Sequence, residues 1–117
     1  MIEERLRLSD LIDFYGAMLT DKQRRCLEMY LFEDWSYSEI GEEMEISRQA
    51  VYDIIHRSSQ LLAGYEEKLG FIERYNKATG VIREVHNRLS NLEASKNSVE
   101  IDALLKLVEP FSNNREV

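Results

Sequence analysis

The chain has 117 residues, of which 44% are hydrophobic, and this length and composition are typical of one globular domain. Its net charge of −7 argues against general affinity for nucleic acid, and its single cysteine excludes an internal disulfide bond. Only one proline and five glycines are present to break helices, so we predict an all-α fold in one domain, residues 1–117.

The same features predict a cytoplasmic protein. A lone cysteine fits a reducing compartment. The segment MIEERLRLSD carries charges where a secretory signal peptide needs an apolar core. No apolar run approaches the ~20 residues that span a bilayer, so we expect no membrane insertion.

Five or six helices and no strands are predicted. The first runs roughly from 3 to 18, because apolar residues recur there at steps of three and four. Thr20 and Gln23 have the T-x-x-Q spacing of a capping box, so a second helix is expected at about 21–33.

Residues 36–58 have the features of a helix-turn-helix. Ser36 and Glu39 form another capping box, which opens a short third helix ending near Met44. Gly41 lies in the middle of this helix, where glycine costs ~1 kcal/mol relative to alanine. We therefore expect Gly41 to mark a close approach between the two helices.

The turn between these helices is short, with only Glu45 and Ile46 between Met44 and the next cap, Ser47. Ile46 is expected to fold inward and fill the gap between the helices. Many helix-turn-helix proteins have glycine where Glu45 stands. A left-handed backbone at this position costs a non-glycine residue about 1–2 kcal/mol, so either the turn differs or the strain is tolerated.

The fourth helix opens at Ser47 and continues to a C-cap at Gly70, unless Gly64 interrupts it earlier. Its first turns present one polar stripe, which we name the recognition stripe: Arg48, Gln49, Tyr52, Asp53, His56 and Arg57. Arginine and glutamine can read purine edges in the major groove, and the later residues suit backbone contacts. The alternative is a solvated or protein-binding face.

The second helix carries three cations at its start, Lys22, Arg24 and Arg25. Cations at a helix N-terminus oppose the macrodipole, and a bound phosphate would offset this cost. The cluster is interpreted either as a contact to a nucleic-acid backbone or as a plain solvated cluster.

A fifth helix is predicted over about 71–93, with apolar residues alternating at steps of three and four from Tyr75 to Leu92. A polar loop at 94–98 and a sixth helix over about 99–109 follow, and Pro110 is expected to end that helix. The segment SNNREV after it is expected to fray.

The C-terminal helical extension, about 61–109, is longer than a helix-turn-helix needs to bury its core. Its apolar residues occupy more than one side of the fifth and sixth helices, and such helices need a second surface to cover them. We hypothesise a two-fold homodimer through these helices. Closure of the same contacts within one chain is the alternative.

The segment LTDKQRRCLEMYLFEDWSYSEIGEEMEISRQAVYDIIHRSSQLL, residues 19–62, resembles region 4 of bacterial sigma factors. The matching positions are Leu19, Thr20, Gln23, Ser36, Glu39, Ile40 and Ser47. As a whole the chain is most similar to the YlxM family, through DFYGAMLTDKQR at 13–24 and WSYSEI at 35–40. The resemblance implies a sigma-region-4-like helix-turn-helix bundle with a C-terminal extension and a regulatory role in the signal recognition particle pathway.

Catalytic, metal and cofactor sites are not expected. His56, His86 and Cys26 lie on different predicted helices without a metal-ligand spacing, and no base accompanies Cys26 as a nucleophile. Glycine loops for phosphate and nucleophile-elbow serines are lacking from the sequence. We therefore predict a non-enzymatic protein.

Two functions remain open from the sequence. The first is a nucleic-acid-binding regulator that binds DNA, or RNA, through Ser47, the recognition stripe and the cations of the second helix. The second is an adaptor that binds a signal recognition particle protein or RNA component. Residues 20–60 carry nine acidic and five basic side chains, which favours the adaptor, whereas the recognition stripe favours the regulator.

Overall fold

The structure, a computed structural model, describes residues 2–92 and 98–112, and all its regular elements there are helices. In chain order they are α1 (Ile2–Tyr15), a 3-10 turn (Gly16–Met18), α2 (Asp21–Leu31), α3 (Tyr37–Met44), α4 (Arg48–Leu69), α5 (Phe71–Ser90) and α6 (Val99–Ser112). This confirms the all-α prediction. The chain divides into two compact units, one up to Ile72 and one from Glu73, and the expectation of a single domain over 1–117 stays a prediction.

The first unit has one apolar core to which each of its helices contributes. Leu27, Ile40, Val51 and Leu62, from α2, α3 and α4, are completely buried. Burying an aliphatic side chain of this size contributes about 1.5–3 kcal/mol. The core places the outer side of α4 at the surface.

The first two helices end earlier than the sequence predicted. The α-helical part of α1 stops at Tyr15, because the backbone tightens into the 3-10 turn and Leu19 is extended. Phe32 is the C-cap of α2, and Asp34 then adopts a left-handed backbone with φ 57°. That reversal turns the chain toward α3.

Gly70 ends α4 as predicted, with φ 64° and an N–H that donates to the carbonyl oxygen of Glu66 at 2.8 Å. Gly64 does not interrupt the helix. A left-handed C-cap favours glycine because it has no Cβ to clash with the backbone.

The carboxylate of Glu66 is buried at the start of α5, a role that the sequence did not reveal. Its Oε1 accepts the Tyr15 hydroxyl at 2.6 Å and the Ile72 N–H at 3.0 Å. The Tyr15 oxygen in turn accepts the Phe71 N–H at 3.2 Å. These contacts satisfy backbone groups in the first turn of α5 and fix α1 against α4.

The second unit contains most of α5 and all of α6. The prediction that Pro110 ends the sixth helix is wrong, because α6 continues to Ser112. The fixed φ of proline is compatible with a helix, so Pro110 removes one hydrogen bond and crowds the carbonyl of residue 106 without ending α6. The predicted loop lies outside the described residues apart from Ser98, whose Oγ accepts the Ile101 N–H at 3.1 Å. The segment 113–117, where fraying was predicted, also lies outside them.

Candidate nucleic-acid interface

A reciprocal capping box fixes the start of α3, as the sequence predicted. The Ser36 hydroxyl accepts the Glu39 N–H at 3.1 Å, and Glu39 Oε1 accepts the Ser36 N–H at 2.9 Å. The backbone N–H and then the hydroxyl of Ser36 hold the pKa of Glu39 below its ordinary value, against a smaller opposing effect of desolvation.

The turn between α3 and α4 brings the two backbones into close contact at Gly41. A Cβ at this position would lie 2.7 Å from the carbonyl oxygen of Ile46, and the Ile46 N–H donates to the Gly41 carbonyl at 2.9 Å. Glu45 adopts the left-handed conformation, with φ 59° and ψ 43°. The expected roles of Gly41 and of Ile46, which packs against the core, are confirmed, and Glu45 tolerates the strain.

The first turn of α4 is capped by Ser47, whose Oγ accepts the Ala50 N–H at 3.0 Å. The hydroxyl therefore fixes the direction in which α4 leaves the turn. Ser47 and the whole recognition stripe are exposed at the surface, on one side of α4. The structure thus brings these predicted residues together.

Two contacts organise side chains within the recognition stripe. Gln49 Nε2 donates to Asp53 Oδ1 at 3.2 Å, which orients the glutamine amide. The Arg48 guanidinium lies 5.7 Å from the centre of the Tyr37 ring, within the range of a cation–π contact. Asp53 therefore acts as a positioning group in the free protein.

The three cations of α2 are exposed, but two of them lie beside carboxylates. Arg24 Nε is 3.7 Å from Glu28 Oε1, and Arg25 Nη2 is 3.4 Å from Glu43 Oε1. Exposed ion pairs of this kind contribute about 0–1 kcal/mol, so an incoming phosphate displaces them at little cost.

A groove of about 500 Å³ joins the start of α2 to the outer side of α4. Gln23 lines it from α2, and Arg57 and Lys68 line it from α4. The sequence analysis missed Lys68, although its position on α4, three turns after Arg57, is the signal that could have revealed it.

A second groove, of about 400 Å³, lies on the other side of the recognition stripe; we name it the aromatic groove. Its rings are Tyr30, Tyr37, Tyr52 and His56, and its remaining walls are Glu4, Arg5, Arg7, Leu8, Leu11, Ile55 and Ser59. Burial, followed by the neighbouring Tyr30, raises the pKa of Tyr37. The sequence analysis missed this groove because α1, α2, α3 and α4 contribute to it and no local spacing links them.

The other candidate chemistry does not converge on a site in the described residues. No group of three or more histidine, cysteine, aspartate or glutamate side chains there is arranged to hold a metal ion. Cys26 is completely buried, its Sγ lies 3.2 Å from Met44 Sδ, and burial raises the pKa of its thiol.

In the part of the chain that the structure describes, no helix is both long and apolar enough to cross a bilayer.

The geometry of α3, the turn and α4 agrees with comparison against known proteins. The family model described as "UPF0122: Putative helix-turn-helix protein, YlxM / p13 like" matches residues 2–101. The chain belongs to this UPF0122 family. The sequence resemblance to YlxM proteins is thereby confirmed. UPF0122 is described as a putative helix-turn-helix family and is not a known enzyme family.

Individual members of the UPF0122 family match most of the chain. The UPF0122 protein YlxM of Bacillus subtilis is 40% identical over 109 residues, which cover 92% of this chain and 96% of that protein. A UPF0122 protein of Halalkalibacterium halodurans is 37% identical over 109 residues, which cover 93% and 97% of the two chains. A UPF0122 protein of Geobacillus kaustophilus is 43% identical over 90 residues, covering 77% and 82%.

Proposed function

We propose that this protein is a cytoplasmic, non-enzymatic regulator that binds nucleic acid through α4. The observation that carries the proposal is the exposed recognition stripe, which follows a tight turn at Glu45 and a capped helix start at Ser47. A helix presented in this way fits the major groove of a duplex. The helix-turn-helix description of the UPF0122 family supports it.

The residues divide into base-reading and phosphate-binding groups. Arg48 and Gln49 lie at the N-terminal end of α4, where a recognition helix contacts base edges. Lys22 and Arg25 lie at the start of α2, and Arg57 lies more than two turns along α4 from Arg48. These cations would bind phosphates, which fix the register but carry no sequence information. Each good bidentate base contact contributes about 1–3 kcal/mol of discrimination.

Acidic residues near α4 limit the strength of such binding. Three glutamates are exposed on α3 and in the turn: Glu42, Glu43 and Glu45. Within the described part of the chain, only Glu43 of these three forms an ion pair, with Arg25. Their charges repel phosphates, so we expect binding that depends on a preferred sequence or shape rather than tight general binding.

An adaptor of the signal recognition particle pathway is the second candidate function. The net charge of −7 and the acidic α3 favour a protein partner over operator DNA. The sigma-region-4-like and YlxM-like motifs of the sequence suggest a regulatory role in that pathway. Binding to a particle component without any effect of changes in the recognition stripe would favour this candidate.

We also propose a homodimer through the second unit. Its described apolar side chains include Val81, Leu107 and Phe111, which are at least 60% exposed. A second copy is the partner that is always present at the same concentration, and two-fold pairing is the commonest closed assembly of soluble proteins. A dimer would also present two α4 helices, as two-fold sites in DNA require.

A matched pair of variants tests the binding surface. Arg48→Ala, Gln49→Ala and Arg57→Ala together remove two cations and one amide from the recognition stripe. The control variant with Lys77→Ala, Asn76→Ala and Arg88→Ala also loses two cations and one amide, from exposed positions of α5, and sedimentation checks that it keeps the oligomeric state of wild type. We expect fluorescence anisotropy with mixed-sequence DNA duplexes and RNA hairpins to show at least a tenfold loss for the first variant and none for the second. Equal binding by both variants would contradict the proposal.

A further inference from the structure

We propose that the aromatic groove holds one unpaired base of the nucleic-acid strand that lies along α4. This inference rests on the proposed function, because the strand must first be bound at the recognition stripe. The groove then adds a specificity that a fully paired duplex cannot satisfy. Its rings, charges and position each support this occupant.

The rings of the groove form a continuous series of contacts. Tyr30 and Tyr37 stack with centroids 5.5 Å apart, and Tyr52 meets Tyr37 edge-on at 5.8 Å. Tyr52 and His56 are parallel within 4° at 5.9 Å. Because Tyr52 is 44% exposed, part of its ring is free to stack on an incoming base, and Leu8 and Ile55 provide an apolar floor.

Guanidinium groups lie beside the rings. Arg5 lies 5.1 Å from the centre of the Tyr30 ring, and Arg48 lies over Tyr37. Arg5 is held in place because its Nη2 donates to the carbonyl oxygens of Tyr30 and Leu31 and to Asp34 Oδ1, at 3.1–3.4 Å. Arg7, which is exposed, also lines the groove. Its positive charge balances that of Glu4, the one acidic residue among the described lining residues. Cations beside ring faces suit a base that carries a phosphate.

The position of the groove identifies the source of this base. Tyr52 and His56 belong both to the recognition stripe and to the groove. A base that leaves the stack next to these residues therefore reaches the rings without leaving the strand. The phosphate of this nucleotide remains part of the bound strand, so the groove does not need a separate enclosed site for it. The groove is open to solvent on the side of Tyr52 and His56, which are exposed.

Duplexes that differ in one nucleotide test this inference. One is fully paired, and the other carries a single extra, unpaired 2-aminopurine in one strand. We expect wild-type protein to bind the second duplex about 5- to 100-fold more tightly, the range that stacking of one base on an aromatic side chain provides. The 2-aminopurine fluorescence should fall on binding because the base stacks on a ring.

The variant Tyr30→Leu keeps apolar volume but removes a ring of the groove that does not contact the recognition stripe, and circular dichroism checks its folding. It should lose the preference for the unpaired base while binding the paired duplex as wild type does, and Tyr30→Phe should restore the preference. Equal affinity of wild type for the two duplexes would overturn the inference and leave the proposed function intact. No binding of either duplex would overturn both. Free 2-aminopurine riboside monophosphate that binds the groove as tightly as the duplex with the unpaired base would overturn the strand as the source.

Discussion

At position 41 any side chain larger than hydrogen meets the backbone of the following turn. The Cβ of Gly41→Ala would lie 2.7 Å from the Ile46 carbonyl oxygen, so α3 and the turn must separate. We expect a loss of about 1–3 kcal/mol, as in other overpacked sites, measured by urea unfolding. Gly64→Ala in α4 is the matched control: its Cβ meets nothing within 4 Å, and it should stabilise the protein by about 0.5–1 kcal/mol. Two variants of equal stability would contradict the close contact.

The left-handed residue of the turn gives a prediction of opposite sign. Glu45→Gly removes the Cβ strain at φ 59° and should raise the free energy of unfolding by about 1 kcal/mol. Glu42→Gly makes the same chemical change within α3 and should lower it by about 1 kcal/mol. A destabilised Glu45→Gly protein would show that the Glu45 side chain contributes more than its backbone costs.

Single residues with a local cause could be predicted from the sequence. Gly41 costs helix stability and therefore indicated a packing reason, and the spacing of Ser47 predicted its cap. The buried Glu66 and the ring contacts of Tyr30 and Tyr37 could not be predicted, because their partners lie far away in sequence on other helices. Which bases or phosphates the recognition stripe contacts stays a prediction.

At the scale of the element, the start of α3 links stability to pH. The pKa of Glu39 is lower in the folded protein than in the unfolded chain. Its ionised carboxylate therefore adds to the free energy of unfolding above the pKa of the unfolded chain, and this stabilisation is lost as pH falls through the pKa of the folded protein. NMR titration of the Glu39 carboxyl should give a value below the ordinary ~4.3 of glutamate. Ser36→Ala removes one hydrogen-bonding group and should raise it. An ordinary pKa in wild-type protein would contradict the capping box.

Helix boundaries were predictable where the stop signal is local and specific. Gly70 ends α4 because a left-handed C-cap favours glycine, and Thr20 and Ser36 start α2 and α3 through their side chains. Pro110 misled the prediction because proline in a last turn removes one donor without preventing a helical φ. The end of α1 is set by the change to the 3-10 turn at Gly16. The spacing of the apolar residues in α1 does not indicate where that change occurs.

At the scale of the whole molecule, the exposed apolar side chains of the second unit predict self-association. Leu107→Glu places a charge on α6 at a position that is 68% exposed, and burying that charge against a partner is costly. We expect wild-type protein to sediment as a dimer at micromolar concentration and Leu107→Glu as a monomer. Asn87→Glu adds the same charge at an exposed position of α5 and should leave the dimer intact. A wild-type mass that stays near 13.8 kDa as concentration rises would contradict the dimer.

The acidic balance of the molecule sets how its binding should respond to salt. With a net charge of −7, long-range attraction to a polyanion is absent, and only cations placed at the contact surface can release counterions from phosphates. The cations of the recognition stripe and of the start of α2 are Lys22, Arg24, Arg25, Arg48 and Arg57. A nucleic-acid interface here should therefore involve few phosphates.

The salt dependence of duplex binding by the wild-type protein decides most directly whether α4 reads nucleic acid. If about three to five phosphates are neutralised, the logarithm of the association constant should fall with the logarithm of salt concentration with a slope of about −2.7 to −4.5. Affinity would then drop by roughly 40- to 500-fold between about 50 and 200 mM salt. Binding that does not change over this range, or no detectable binding at its lower end, would contradict a nucleic-acid-binding function.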